Sequence, residues 1–296
     1  MDKKTIVIAG AGPAGLTCAM YLARAGHDVK VYSNEEKTMS CLDEATTIEN
    51  YPGFPNGIPG YQLRSLMQEQ AEAAGAAVLP QGISMISDGR DVCFDTDGTE
   101  VRFDHFVMAV GVTHRKWTCP GCDPAAVHRC AVCDGGLYTK DDTLAVIGGG
   151  DTAMGDALYL SSIVGKVYVL IRRDVLRVTT MAVYDRLQAQ DNVEIMKSTY
   201  VTGMAKDPSE PGRTQSWTLE LNGGVKPSLS VNGVFACIGS QYNYIEGYHL
   251  RQNAPDYNHN LWRIGDCKTG ARRQVISAAA DGADVALGII DSINEN

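Results

Sequence analysis

The stretch IVIAGAGPAG, residues 6–15, decides the fold, because a short apolar run ends there at three closely spaced glycines. This pattern is typical of a buried strand that is followed by a tight turn and a helix. PAGLTCAMYLARAG (13–26) has the apolar spacing of that helix, and DVKVYS (28–33) alternates as a second strand. The three elements predict a βαβ unit, and therefore a parallel sheet with a right-handed crossover.

A second βαβ unit is predicted where LAVIGGGDTA, residues 144–153, repeats the pattern. Its helix is expected over 151–165 and its next strand over 166–174. Two segments near the C-terminus, 261–266 and 273–293, are typical of a further strand and a long helix. The sequence therefore predicts an α/β protein with two Rossmann-like dinucleotide-binding domains, the second inserted into the first.

The expected domain boundaries follow from this internal repeat. The first domain is predicted to comprise residues 1–112 and 242–296, and the second domain residues 113–241. Residues 112–129 contain two prolines and a Pro-Gly pair, so they are predicted to be a linker.

The composition excludes several functional classes. The 296 residues carry a net charge of −9, whereas nucleic acids and anionic membranes bind basic faces. No apolar run is long enough to span a bilayer, and the N-terminal run is too short for a signal peptide. The nine cysteines are an odd number and are mostly isolated, unlike a secreted disulfide framework. The sequence predicts a cytoplasmic protein without nucleic-acid or membrane partners.

The first glycine turn satisfies the G-x-G-x-x-G pattern between a strand and a helix. The first glycine permits the tight turn, the second lets the backbone approach a pyrophosphate, and the third lets helix and strand pack closely. The start of the helix adds N–H donors and partial positive charge. The residues expected to bind a dinucleotide here are Gly10, Gly12, Pro13, Ala14 and Gly15.

The end of the second strand normally supplies a carboxylate to a ribose hydroxyl. Here that position holds Ser33, and the acidic residues Glu35 and Glu36 come shortly after it. Because a serine hydroxyl also forms hydrogen bonds with a hydroxyl group, Ser33 is the expected contact.

The second glycine turn has the related G-x-G-x-x-A form and predicts a second dinucleotide site. Its glycines permit a tight turn, and the start of the following helix adds N–H donors and partial positive charge. The residues expected to bind there are Gly148, Gly150, Asp151, Thr152 and Ala153.

Basic residues follow the next strand of this second unit, at Arg172, Arg173 and Arg177. Guanidinium groups bind phosphate as a bidentate fork, so basic residues in place of an acidic one favour a 2′-phosphate. The sequence therefore predicts NADP(H) rather than NAD(H). The alternative is a solvated basic cluster that binds no ligand.

A close cysteine pair, Cys130 and Cys133, lies between the two glycine turns, with Asp134 directly after it. Two sulfurs at this spacing form a short-loop disulfide, and a helix that starts at the pair lowers the pKa of one thiol. Such a pair exchanges electrons with a flavin or another disulfide, and an adjacent carboxyl group transfers the proton.

Two other interpretations of the cysteines stay open. Cys119 and Cys122 form a second CxxC pair shortly before the first, and the four thiols, with His128 as a further ligand, are compatible with a zinc or iron–sulfur site. Inert buried cysteines are the third possibility. No metal is the preferred prediction, with Cys119 and Cys122 as linker residues.

These motifs, in this order, resemble the low-molecular-weight, bacterial-type thioredoxin reductases over nearly the whole chain. The segments that carry the resemblance, besides the N-terminal fingerprint, are ENYPGF (49–54), CAVCDGG (130–136), GGGDTAMGDALYLS (148–161), IRRDVLR (171–177), GVFACIGS (233–240) and GDCKTGARRQVISAAADG (265–282).

The resemblance implies a homodimeric enzyme that passes electrons from NADPH to FAD, then to the Cys130–Cys133 disulfide, and on to thioredoxin or a thioredoxin-like protein. It implies that Cys133 faces the flavin, that Cys130 attacks the partner's disulfide and that Asp134 donates the proton. It also implies an alternation between two domain orientations. The remaining FAD contacts that it implies are Asn50, Asp266, Arg273, Gln274 and Val275.

Other functions on the same fold are a flavin-dependent dithiol oxidase and a ferredoxin-linked thioredoxin reductase. Relatives of those kinds typically lack the second glycine turn and its arginines, which this sequence retains. A third hypothesis is a nucleotide-binding or zinc-stabilised scaffold without turnover.

The sequence departs from the family's pattern at four places, which bear on the partner more than on the cofactors. Ile171 stands where the family has a histidine, Gly136-Leu137 replaces an aromatic pair, and MSCLDEA (39–45) replaces a Gly-Gly-Gln segment. The segment 239–265 is shorter than is usual in the family.

Overall fold

A computed structural model describes residues 2–35, 40–87, 90–179, 181–208, 215–247, 257–258, 260–268 and 270–295. Glu36, Met39 and the central part of the shortened segment 239–265 lie outside the described residues.

The chain divides into two compact units, each of which is described by itself. The first unit comprises Met1–Asp43, Thr47–Thr113 and Gln241–Asn296, and the second comprises Glu44–Thr46 and His114–Ser240.

The helices and strands are numbered in chain order. Those before residue 115 are β1 (Thr5–Ala9), α1 (Pro13–Arg24), β2 (Asp28–Tyr32), α2 (Gly60–Ala73), β3 (Ala77–Leu79), β4 (Ile83–Ile86), β5 (Val92–Asp95), β6 (Glu100–Arg102), β7 (His105–Met108) and β8 (Val112–His114). The middle ones are β9 (Val127–His128), α3 (Ala131–Asp134), β10 (Thr143–Ile147), α4 (Asp151–Ile163), β11 (Lys166–Ile171), α5 (Met181–Gln188), β12 (Val193–Lys197), β13 (Tyr200–Lys206), β14 (Trp217–Asn222), β15 (Ser228–Val231) and β16 (Gly233–Ala236). The last are β17 (Ser240–Tyr242), β18 (Tyr257–Asn258), β19 (Leu261–Arg263) and α6 (Val275–Asn294).

The first unit is built on a six-stranded sheet in the order β18-β19-β7-β1-β2-β3. β1 is the central strand and runs parallel to β2 and β7, and four of its five residues are buried. Strands that are buried on both faces need continuous apolar sequence, which explains why TIVIA does not alternate with polar residues. β4, β5 and β6 form a separate antiparallel sheet.

Helices α1 and α6 pack against each other in the first unit. Leu16, Cys18 and Leu22 of α1 are fully buried in the same core as Ile289 of α6. A Cβ on Gly282 would collide with the carbonyl oxygen of Ala14, so only glycine allows the two helices to approach this closely. The C-terminal helix therefore completes the core around the first glycine turn.

The second unit is built on a five-stranded parallel sheet in the order β12-β11-β10-β16-β9. Leu144 and Phe235 face the core that α4 covers, whereas Ala145 and Val234 face the opposite core. That opposite core includes side chains of the antiparallel sheet β13-β14-β15, such as Leu219. The period of two along each strand thus separates the unit into two apolar layers.

The predicted α/β class with two dinucleotide-binding domains is confirmed. The expectation that residues 112–129 are only linker is wrong, because β8, a one-turn 3-10 helix at Pro124–Ala126 and β9 lie there. The segment 231–240 contains the end of β15, all of β16 and the start of β17. Such short strands are formed by pairing with distant segments, which local pattern does not reveal.

Candidate functional site

The first glycine turn joins β1 to α1 and has the geometry of a phosphate cradle. Gly10 has φ +110°, in the left-handed region that favours glycine, and a Cβ on Gly15 would collide with the Gly10 carbonyl oxygen. A Cβ on Gly12 would meet nothing within 4 Å. The turn is therefore closely packed at Gly10 and Gly15 and open at Gly12, which fits the close approach of a pyrophosphate to Gly12.

The N-terminus of α1 supplies the donors for such a group. Gly12 is its N-cap residue and offers no side-chain acceptor, and Pro13 is the first helical residue. The N–H groups of the first turn and the helix dipole are therefore available to an anion. Ala14 is buried against Gly265 and Gly282, so its side chain packs the core.

The end of β2 offers no unpaired carboxylate within the described residues. The Ser33 hydroxyl donates a hydrogen bond of 2.9 Å to the Leu79 carbonyl oxygen, so its lone pairs remain available as acceptors. Glu35 pairs with Arg64 at 3.0 Å, and the same guanidinium binds Asp43 at 2.7 Å. The acidic residue nearest to the strand end is thus already neutralised by a cation.

Asp266 and Arg273, both predicted as FAD contacts, line one cavity of the first unit. Asp266 is half-buried and burial raises its pKa, an effect that Arg273 opposes and Asp281 reinforces. Arg273 has φ +55°, and its guanidinium lies 5.3 Å from the centre of the Tyr242 ring. The cavity measures about 260 Å³ and is lined by Gly265, Asp266, Lys268, Gly270, Ala271, Arg272, Arg273, Ser277, Ala278 and Asp281.

Asn50 and Gln274 are held together at the start of α6. The Asn50 side-chain amide donates a hydrogen bond of 2.9 Å to Gln274 Oε1. Gln274 is the N-cap residue of α6, and Val275 is its first residue. Neither Gln274 nor Val275 lines the 260 Å³ cavity, so the structure places them beside it rather than in it.

The second glycine turn joins β10 to α4 and is closed by the loop that follows β11. Gly148 has φ +154°, and Gly150 is the N-cap residue of α4. The Asp151 carboxylate accepts hydrogen bonds from the Thr179 N–H (2.7 Å) and hydroxyl (2.6 Å). The Arg177 N–H donates to the Gly149 carbonyl oxygen at 2.7 Å. The loop that carries the arginines is therefore fixed against the turn, with Thr152 exposed and Ala153 buried.

The three arginines of this loop are exposed. None of them is in an ion pair with a residue that the structure describes, which leaves Arg172, Arg173 and Arg177 available to a phosphate. Ile171, where the resemblance leads one to expect histidine, is 2 % exposed and packs on Gly149. Its side chain therefore belongs to the core and offers no polar group to a nucleotide.

Cys130 and Cys133 form a disulfide whose Cα atoms are 5.3 Å apart. Cys130 is the N-cap residue of the one-turn helix α3, and its sulfur accepts a hydrogen bond of 3.1 Å from the Cys133 N–H. Cys130 is 6 % exposed, whereas Cys133 is exposed to solvent. The pair therefore presents one sulfur at the surface and keeps the other buried.

Asp134 is held by a side chain that sequence reasoning did not assign to it. His128 Nδ1 lies 3.1 Å from the Asp134 carboxylate, and His128 Nε2 lies 2.7 Å from the Tyr138 hydroxyl. The His128 ring stacks on Phe235, with ring centres 5.0 Å apart. Because a carboxylate only accepts, a neutral His128 donates from Nδ1 and accepts from Tyr138 at Nε2. Burial, followed by the charges of Asp134 and Asp142, raises the pKa of Tyr138 to about 12, so it remains a donor.

The four sulfurs of the two CxxC pairs do not form a metal site. Cys119 and Cys122 pack against the core that contains Leu219 of β14. Ala131, next to Cys130, belongs to the core on the other face of the parallel sheet. The parallel sheet lies between the two pairs. Among the described residues, no cluster of possible metal ligands contains any of these four cysteines or His128. The zinc or iron–sulfur interpretation is therefore not supported.

A buried carboxyl–thiol pair lies at the carboxyl end of the second sheet. Asp156 of α4 is 6 % exposed and accepts a hydrogen bond of 3.3 Å from the Cys237 thiol. Burial raises the pKa of Asp156 to about 7, and it raises that of Cys237 well above its usual value. Both groups are therefore substantially protonated near neutral pH. The pair has no signal in the spacing of the sequence, because its members lie 81 residues apart in the chain.

A family model described as pyridine nucleotide-disulphide oxidoreductase matches residues 4–282 of this chain. That range includes both glycine turns and the disulfide. The chain belongs to this family.

Curated relatives of this chain include thioredoxin reductases. The chain is 32 % identical to the thioredoxin reductase of Streptomyces coelicolor over 303 residues, which cover 97 % of this chain and 92 % of the relative. It is 33 % identical to the thioredoxin reductase of Spironucleus barkhanus over 300 residues, with 95 % and 96 % covered. The predicted resemblance is thus confirmed.

Solved structures agree with this assignment. The thioredoxin reductase of Lactococcus lactis in its FR conformation matches with a TM-score of 0.82 and 26 % identity, covering 100 % of both chains. The T. acidophilum thioredoxin reductase has a TM-score of 0.84 at 22 % identity, which supports the fold alone.

Family membership confirms the predicted oxidoreductase class and the cofactors FAD and NADPH. The glycine turns described above fit these groups, because a Cβ on Gly12 would meet nothing within 4 Å and a Cβ on Gly150 would meet only the Arg177 carbonyl oxygen, at 3.5 Å. Within the part of the chain that the structure describes, no helix is both long and apolar enough to cross a bilayer.

Proposed function

We propose that this protein is an NADPH-dependent thioredoxin-disulfide reductase. The observation that carries the proposal is the Cys130–Cys133 disulfide at the start of α3, with Asp134 in the same helix. The pair lies in the same unit as the second glycine turn, and a separate unit contains the first. The first unit would bind FAD and the second NADPH, close to the predicted boundaries of residues 1–112 with 242–296 and residues 113–241.

The first unit would hold FAD through its glycine turn and the cavity beside α6. Gly12 and the N-terminus of α1 would bind the pyrophosphate, and Ser33 would accept a hydrogen bond from a ribose hydroxyl. Asp266 and Arg273 would contact the remaining part of the cofactor, with Asn50, Gln274 and Val275 at its edge. When bound, FAD supplies the transfer of an electron pair between a pyridine nucleotide and a disulfide.

The second unit would hold NADPH at the turn around Gly150. Three exposed guanidinium groups on a loop fixed against that turn support binding of a 2′-phosphate. Arg172 and Arg173 directly follow β11. In dinucleotide-binding folds, arginines near this position bind the 2′-phosphate. Asp151 supports the site indirectly, because its carboxylate fixes Thr179 and thus the loop.

The thiol chemistry would use the two sulfurs in turn. Once reduced, the Cys130 thiolate attacks the partner's disulfide, forms a mixed disulfide and releases one partner sulfur as a thiolate. Cys133 then attacks the Cys130 sulfur, which restores the Cys130–Cys133 bond and releases the second partner sulfur. Asp134 supplies the proton to the leaving thiolate and takes it from the attacking thiol. Because Cys130 is 6 % exposed, its sulfur must become accessible before it can meet a protein disulfide.

We also propose a compartment, an assembly and a partner for this protein. Seven of the nine cysteines are free, which fits a reducing compartment such as the cytoplasm. The proposed assembly is a homodimer, and the proposed partner is thioredoxin or a thioredoxin-like disulfide protein, as the names of the relatives suggest. Sedimentation equilibrium of the purified protein tests the assembly.

An anaerobic titration with NADPH, followed at flavin wavelengths, tests the function. The proposal expects NADPH to bleach the flavin and added thioredoxin disulfide to restore its absorbance. Cys130→Ser and Cys133→Ser should each abolish turnover while the flavin stays bound. An unchanged flavin spectrum would exclude NADPH as the electron source, and bleaching without reoxidation by thioredoxin would exclude thioredoxin as the partner.

A further inference from the structure

A second cysteine pair, Cys119 and Cys122, lies in the second unit and has no part in the chemistry above. The pair flanks the turn CPGC, in which the Cys122 N–H donates a hydrogen bond of 3.0 Å to the Cys119 carbonyl oxygen. Gly121 has φ +72°, as the third residue of a type II turn requires, and proline suits the second position. Such a turn brings its first and last Cα atoms within about 7 Å, the range over which disulfides form.

The turn is held in this closed form by β13. The Met204 N–H donates a hydrogen bond of 2.9 Å to the Pro120 carbonyl oxygen. A Cβ on Gly121 would collide with the Met204 carbonyl oxygen, so the turn packs directly on the strand. Both contacts use backbone atoms and do not depend on the state of the sulfurs. The two cysteines are therefore kept close together whether or not they are bonded.

The two thiols differ in their surroundings, although both are partly exposed. Burial, followed by the proximity of Cys122, raises the pKa of the Cys119 thiol to about 11. Cys119 therefore stays protonated at neutral pH, and a first nucleophilic attack falls to Cys122.

The oxidant cannot be the Cys130–Cys133 disulfide of the same chain. Cys119 and Cys122 pack at the core that contains Ala145 and Val234, whereas the residue next to Cys130 packs at the core that contains Leu144 and Phe235. The layer of parallel strands separates the two pairs. An exchange partner must therefore come from solution, and the partial exposure of the turn admits a small molecule.

We propose that Cys119 and Cys122 form a second, reversible disulfide by exchange with a small-molecule disulfide. The Cys122 thiolate attacks the small disulfide, which forms a mixed disulfide and releases one thiolate. The Cys119 sulfur then attacks the Cys122 sulfur, loses its proton to solvent and releases the second thiolate. The small disulfide gains two electrons, and the two cysteines lose them. This site is independent of the proposed function.

Tryptic mapping of the full-length protein tests the proposal. Cleavage after Lys116 and Arg129 yields the peptide 117–129, which contains Cys119 and Cys122 but neither Cys130 nor Cys133. The protein is equilibrated with glutathione disulfide, free thiols are blocked with N-ethylmaleimide, and the peptide is weighed. The expected peptide carries no N-ethylmaleimide and is two hydrogen atoms lighter than the reduced peptide. After reduction with dithiothreitol and a second addition of N-ethylmaleimide, it carries two labels.

Two outcomes would overturn the proposal: a peptide that keeps both labels, or one that retains glutathione on a single cysteine without an internal bond. Cys119→Ser is the matched control, in which Cys122 should keep a stable glutathione adduct because no neighbouring thiol can displace it. The wild-type measurement stands without this variant, so a failure of the variant to fold does not affect the result.

Discussion

Replacing Asp156 with asparagine should make the protein more stable above pH 7 and leave its stability nearly unchanged near pH 4. Asp156 is buried in the second unit, and burial raises its pKa from 3.8 to about 7. The Cys237 hydrogen bond and the charge of His114 oppose this rise, and the charge of Glu44 adds to it. Asparagine has the same shape, keeps an oxygen for the Cys237 thiol and cannot ionise.

The size and sign of the effect follow from the pKa difference between the folded and unfolded states. A carboxyl group with a raised pKa in the folded state contributes stability below its unfolded pKa, and this stability is lost as the pH rises through the folded value. A rise of about three pKa units corresponds to about 4 kcal/mol, which is an upper value for the gain in the variant. The gain should grow by about 1.4 kcal/mol per pH unit between the two pKa values.

Urea denaturation of wild type and Asp156→Asn at pH 4.5, 6 and 8, followed by circular dichroism, measures this gain. Asp185→Asn is the matched control, because Asp185 lies on the exposed side of α5 and should show the same small difference at every pH. If the free energies of unfolding of wild type and Asp156→Asn differ by the same amount at every pH, Asp156 is ionised in the folded protein. That result would refute the reasoning.

Three further predictions concern the sites. The double variant Arg172→Ala/Arg173→Ala should raise KM for NADPH by about 10-fold or more, since charge-assisted hydrogen bonds contribute about 1.5–3 kcal/mol each, and should leave KM for NADH nearly unchanged. His128→Asn should lower the free energy of unfolding by about 1–3 kcal/mol, because the Tyr138 hydroxyl loses its partner, and should alter the pH profile of disulfide reduction. Gly282→Ala should destabilise the protein by about 1–3 kcal/mol and weaken flavin retention, because its Cβ would displace α6 from α1.

The outcomes that contradict these predictions are equally specific. Equal changes in KM for both nucleotides would remove the 2′-phosphate argument for the arginines. An unchanged pH profile in His128→Asn would leave His128 with a structural role only. Gly288→Ala on the same helix is the control for Gly282→Ala, since a Cβ there meets nothing within 4 Å and should be tolerated. Equal destabilisation by both alanines would show that helix contact is not the cause.

Local patterns in the sequence were sufficient where neighbouring residues form the structure. The glycine turns at Gly10 and Gly148, the helices that follow them and the close cysteine pair are each specified within a few residues. Turn geometry and helix starts depend on φ, ψ and short-range hydrogen bonds, so residue type and spacing predict them. The α/β class followed from two such units in succession.

Long-range pairing was the part that sequence reasoning missed. Residues 127–128 were predicted to be linker, yet β9 pairs with β16 and thereby places His128 on Phe235 and beside Asp134. The charge of Glu35, close to the expected ribose position, is neutralised by Arg64 from a distant helix. Neither contact has a signal in the spacing of the residues involved.

The sequence by itself determined the two dinucleotide turns, the basic loop after β11 and the cysteine pair, because each depends on backbone conformation within one short segment. Only the tertiary structure decided which groups surround them: that His128 holds Asp134, that Asp156 is buried on Cys237, and that a sheet separates the two CxxC pairs. The physical reason is that burial and side-chain pairing arise from contacts between segments far apart in the chain, and only the packed sheet brings those segments together.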